Sequence, residues 1–179
     1  MRTGARKQAQ NEQAAVERLA HILTANFGAD SGCLTMEYSP DGLEYLADCA
    51  RKRGFSPENE GYMNATRTAA EGELSRLLRR VRYAMNGESL RYVAVTADLD
   101  DVTGERASIH HHAILQGPAL EIAASKWTLG PVGKCLLCDT AYGAAQADFL
   151  LRQVRRVRDG KKYTRSRNLY EPAPALKDG

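Results

Sequence analysis

The chain has 179 residues, 43% hydrophobic and 26% charged, with a net charge of +3. That is enough for one domain with its own core, and the balance excludes a disordered or low-complexity protein. No apolar stretch reaches the length of a membrane span, and the polar, basic start is not a secretory signal. A cytoplasmic protein with no membrane partner is expected.

Residues 1–12 are polar and basic and read as a flexible arm. Residues 13–25 read as a helix, on the spacing of Ala14, Val16, Leu19, Ala20 and Leu23. Gly28 and Asp30-Ser31-Gly32 break it. From Cys33 to Tyr38, Leu34, Met36 and Tyr38 alternate with Thr35 and Glu37, which predicts a strand. Ser39-Pro40-Asp41-Gly42 has the composition of a turn, with a helix over about 43–53. Residues 55–61 read as a loop. A long helix over about 64–85 carries Leu74, Leu77, Leu78, Val81 and Met85 as its apolar stripe and ends at Asn86-Gly87.

Strands are predicted over 91–98 and 108–115, joined as a hairpin by an acidic turn that contains Gly104. Gln116-Gly117-Pro118 is expected to end the second strand, with a weak helix over 119–126. Residues 127–140 yield no clear element. A helix over 143–157 buries Ala147, Leu150, Leu151, Val154 and Val157. From 159 the chain reads as a basic, partly loose tail. The pattern predicts one α+β domain over 1–179, a central antiparallel sheet with flanking helices.

The four cysteines, Cys33, Cys49, Cys135 and Cys138, read as reduced thiols. Cys135 and Cys138 form a lone C-x-x-C without two further ligands at finger spacing, so ordinary core cysteines are the preferred reading. Positive charge gathers near the C-terminus. Arg152, Arg155, Arg156, Arg158, Lys161, Lys162, Arg165 and Arg167 are offset there only by Asp159. Such clustering points to a polyanionic partner, against the plainer reading of a solvated basic face.

His110-His111-His112 lies inside a predicted strand, flanked by Ile109 and Ala113-Ile114-Leu115. Side chains alternate along a strand, so His110 and His112 share one face. Two imidazoles at that spacing make a pair of metal ligands. Asp98, ending the preceding strand, is the expected third ligand, with Asp100 in reserve. Glu37 is a further carboxylate whose face the pattern does not fix. His111 has the opposite parity and is expected in the core. Trp127 reads as a base-stacking platform or as core.

The Arg91–Thr96 strand, the acidic turn and Ile109–Leu115 together resemble the core of HUH endonucleases, especially the rolling-circle replication initiators of bacterial plasmids and single-stranded DNA phages. Cys33-Leu34-Thr35-Met36 is similar to that family's first-strand motif. Ser166-Arg167-Asn168-Leu169, followed by Pro172, is similar to a signature after its catalytic helix. The resemblance spans about residues 24–172 and favours replication over relaxase or transposase activity. It implies Mg²⁺ or Mn²⁺ held by His110, His112 and a third ligand. It also implies a tyrosine nucleophile that nicks origin DNA, as a single strand or in a hairpin, leaving a 5′-phosphotyrosine and a free 3′ hydroxyl. Arg156, Lys162, Arg165, Arg167 and Asn168 are the expected DNA contacts. The chain has no Gly-rich helicase loop, so unwinding is expected from a host helicase.

The tyrosine is expected just before Leu150-Leu151-Arg152-Gln153, where this chain has Phe149. Phenylalanine has no hydroxyl with which to attack phosphorus. Three readings follow: an inactivating tyrosine-to-phenylalanine variant, a natural relative that only binds, or a nucleophile elsewhere, with Tyr142 and Tyr163 nearest. The first is preferred because every other motif is intact. Arg152, and Arg156 a turn later, lie near Phe149 on a helix and suit phosphate handling. A hydrolase of small phosphate esters, using water, is the reading that needs no DNA.

Overall fold

The computed structural model describes residues 2–136, 143–154 and 162–171. In chain order the elements are α1 (Arg2–Asn26), β1 (Ser31–Met36), α2 (Pro40–Arg51), α3 (Tyr62–Ala84), β2 (Tyr92–Leu99), β3 (Arg106–Gln116), α4 (Gly117–Lys126), β4 (Val132–Leu136), α5 (Gly143–Arg152) and β5 (Thr164–Arg165). The protein is α+β. Its five described strands form one antiparallel sheet in the order β4-β1-β3-β2-β5. No described helix is long and apolar enough to cross a membrane.

Strand parity divides the core into two layers. Leu34, Met36, Ala94, Ala113 and Leu115 face α3 and α4, where Leu74, Leu77, Val81 and Leu120 cover them. Cys33, Val93, Val95 and Ile114 face the other way, against Leu19, Ile22 and Leu23 of α1 and Ala147, Leu150 and Leu151 of α5. Gly143 lets α5 sit close to α1, because a Cβ there would collide with Thr24 Oγ1. The β2–β3 hairpin forms as expected. Asp100 holds its turn by accepting the N–H groups of Val102 at 3.0 Å and Thr103 at 2.7 Å.

Several boundaries differ from expectation, each for a local reason. Residues 2–12, read as part of an arm, belong to α1, which is built from good helix formers with Gln8–Glu12 and Gln13–Glu17 side-chain contacts. Ser39-Pro40-Asp41-Gly42 is the start of α2. Ser39 Oγ accepts the Gly42 N–H at 3.1 Å, and Pro40 occupies the first turn, where no N–H is needed. Gln116-Gly117-Pro118 likewise opens α4, with Pro118 in its first turn and no side-chain cap from Gln116. The unassigned 127–140 segment supplies β4, an edge strand exposed along its length. Part of the tail is also ordered: β5 pairs with Val93 and Ala94 of β2. The fifth helix stops at Arg152, and residues 155–157 of its expected span lie outside the described residues.

Candidate functional site

His110 and His112 of β3 project towards α5, and His111 projects into the α3–α4 layer, as parity requires. His111 is fully buried. Its Nε2 lies 2.8 Å from the Tyr38 hydroxyl and its Nδ1 lies 3.0 Å from Thr96 Oγ1. Burial, then the neighbouring His110 and His112, pushes its pKa down to about 3, so it is a neutral core residue near neutral pH. Trp127 packs edge-on against Tyr38 and His111, and its Nε1–H donates to the Glu37 carbonyl at 2.9 Å. It is core and not a stacking platform.

On the other face three atoms converge. His110 Nε2 and His112 Nε2 lie 3.1 Å apart. Gln153 Oε1 lies 3.3 Å from the first and 3.1 Å from the second. The Gln153 Nε2 group donates to the Phe149 carbonyl at 3.0 Å, which fixes the amide with its oxygen towards the histidines. His110 Nδ1 lies 2.8 Å from the Ser108 carbonyl, an acceptor only. In the neutral ring the proton is therefore on Nδ1, and Nε2 presents its lone pair. His112 Nδ1 lies 3.0 Å from Thr35 Oγ1. Burial, then His110, pushes the His112 pKa down to about 4, which keeps that imidazole neutral.

This triangle fits a divalent cation. Ligands about 2.1–2.2 Å from a metal and at right angles to one another stand about 3.0–3.1 Å apart. Two imidazoles and an amide oxygen could hold a divalent cation, with positions left for substrate oxygen. Among the described residues no three His, Cys, Asp or Glu side chains form such a group. The third member here is an amide.

Asp98 was expected in that place, and the structure takes it up elsewhere. Its Oδ1 lies 2.7 Å from Arg67 Nη1, an ion pair with both side chains buried, on the α3 side of β2. The register of β2 against β3 shifts between Ala97 and Leu99. The N–H groups of Asp98 and Leu99 both donate to the Gln153 carbonyl at 3.1 Å. Asp100 is spent on its turn, and the Glu37 side chain is exposed beyond the end of β1. Sequence reasoning missed Gln153 and Thr35. Gln153 lies just past the end of α5, four residues after Phe149, and Thr35 shares the parity of Cys33.

Phe149 lies beside the triangle, its ring centroid 5.1 Å from that of His112. Arg152 is exposed and pairs with Asp148 at 2.9 Å. Lys162, Arg165 and Arg167 line a separate cleft, with Tyr163 among them. Arg165 and Arg18 both pair with Glu171, and Asn168 donates to Ser89 Oγ. Tyr142, Cys138 and Arg156 lie outside the described residues. Cys33, Cys49 and Cys135 are free thiols. Cys33 stands in register with Cys135 across β1 and β4, and burial, then Cys135, pushes its pKa up to about 12.

Comparison of the chain with family models, with curated proteins and with solved structures gives no match.

Proposed function

We propose that this chain is an HUH-type domain of a rolling-circle replication initiator, which binds single-stranded origin DNA and, with a tyrosine at position 149, nicks it. The observation that carries this reading is the His110–His112–Gln153 triangle with Phe149 against His112. A divalent cation held there would polarise a phosphate and stabilise the charge that develops on its oxygens. The chain's own part is to keep the His112 imidazole neutral, to aim both imidazoles through Thr35 and the Ser108 carbonyl, and to hold residue 149 next to them. With a tyrosine at 149, the phenolic oxygen forms a bond to phosphorus, and the bond from phosphorus to the 3′ oxygen breaks. The phenol gives up its proton and the 3′ oxygen takes one. As written, with Phe149, the chain binds without forming that bond.

The test compares this chain with Phe149→Tyr on labelled single-stranded origin DNA, with and without Mn²⁺. The expected result is a covalent protein–DNA adduct from Phe149→Tyr with Mn²⁺ alone. Cleavage by the unaltered chain would place the nucleophile elsewhere. Binding without cleavage by both forms would favour a purely binding domain.

A further inference from the structure

A cleft of about 970 Å³ opens at the β2 edge. β5 pairs only with Val93 and Ala94, so the edge beyond them has no strand neighbour among the described residues. Arg67 of α3 covers that edge instead, donating from Nη2 to the Thr96 carbonyl at 2.6 Å. Arg67 is 6% exposed and forms the floor of the cleft. One wall is a face of α3. Asn64, Thr68, Glu71 and Ser75 all line the cleft, are exposed, and recur at helical spacing. The facing wall is β5 and its flanks, with Lys162, Tyr163 and Arg167.

The cleft holds more positive charge than the protein neutralises. Arg18, Arg67, Lys162, Arg165 and Arg167 line it, against the single carboxylate of Glu71. Arg67 is committed to Asp98, and Arg18 and Arg165 share Glu171. Among the described residues Lys162 and Arg167 have no carboxylate within ion-pair distance. Cations left over suit phosphate oxygens, and Tyr163 offers an aromatic face for a base. The cleft is linked to the candidate centre through one step of the chain. Val154 lines it, and the preceding residue, Gln153, reaches the histidines.

We infer that this cleft carries the sugar–phosphate backbone of single-stranded DNA towards the His110–His112–Gln153 centre, gripped between the α3 face and the β5 segment. The inference rests on the nickase reading for the identity of the strand. It adds α3 as a DNA-binding wall and assigns the path to the centre.

The test is fluorescence anisotropy with a labelled oligothymidylate of about 20 nucleotides, longer than a single such site, across a salt series. Lys162→Ala/Arg167→Ala is expected to raise Kd about tenfold. It should also shrink the slope of log K against log salt by about 1.4, the loss of two single-strand phosphate contacts. Ser75→Glu, a surface change on the opposite wall, is expected to weaken binding similarly. Unchanged Kd and slope in both variants would overturn the inference. So would competition by thymidine monophosphate as strong as that of the oligonucleotide, because the cleft would then be a small-phosphate site. Placing each change in Phe149→Tyr separates the two readings. Cleavage with binding unaffected by the cleft variants sinks the cleft and keeps the nickase. Lost affinity without any cleavage does the reverse.

Discussion

The backbone oxygen of Gln153 accepts the N–H of Asp98 at 3.1 Å, and this contact joins the two faces of the sheet. On one side Gln153 turns its amide oxygen to the histidines. On the other, the Asp98 carboxylate is held by the buried guanidinium of Arg67. A chain therefore runs from Arg67 through Asp98 to Gln153.

Arg67→Met tests that chain. Removing one partner of a buried ion pair leaves the other charge without compensation, at a cost of about 3–5 kcal/mol. Urea unfolding should show that loss. Mn²⁺ affinity should fall as well, because Gln153 loses a fixed anchor. A variant as stable as the parent would show that Asp98 does not need Arg67.

Gln153 itself is tested by two substitutions. Gln153→Ala deletes the amide oxygen and should weaken Mn²⁺ binding by at least about tenfold, comparable to the loss of a supporting contact in known sites. Gln153→Glu replaces the amide by a carboxylate, a better ligand for a hard cation, and should tighten it. Calorimetric titration with Mn²⁺ reads both. Equal affinity in all three proteins would remove Gln153 from the centre.

Thr35→Val keeps the shape of the side chain and removes the partner of His112 Nδ1. Groups that orient a ligand imidazole are worth about 10–100-fold in metal affinity. The same titration should show a loss in that range, with little change in the fold. An unaltered Mn²⁺ affinity would mean that packing against Phe149 alone orients His112.

The histidine pair was legible because parity within one strand needs only one sequence. The relation of that strand to its neighbours was not. Register follows from turn geometry and from the irregularity between Ala97 and Leu99, so the face taken by Asp98 was hidden. Gln153 sits between Leu151 and Val154, both buried, where a polar residue reads as an interruption of an apolar face. Helices with apolar stripes, such as α3, were read nearly to their ends. Edge strands were not, because β4 is exposed throughout and β5 has two residues, leaving no periodicity to detect.

The two buried histidines make stability depend on acid in a defined window. Their folded pKa values, about 3 for His111 and about 4 for His112, lie below the ordinary value of 6.5. Between those limits the unfolded chain binds protons that the folded protein refuses. Stability therefore rises with pH through this window, is complete above pH 6.5, and is lost as the pH falls towards 4. Each histidine contributes roughly 1 kcal/mol per pH unit to the slope. Urea unfolding at pH 7, 6, 5 and 4.5 should trace it, and titration of the histidine ring protons by NMR assigns it. His111 and His112 should stay neutral at pH 5 while the protein is folded. If either ring protonates near pH 6.5 without unfolding, then water or a counter-charge reaches it, and the dry, neutral pocket inferred from its burial does not exist.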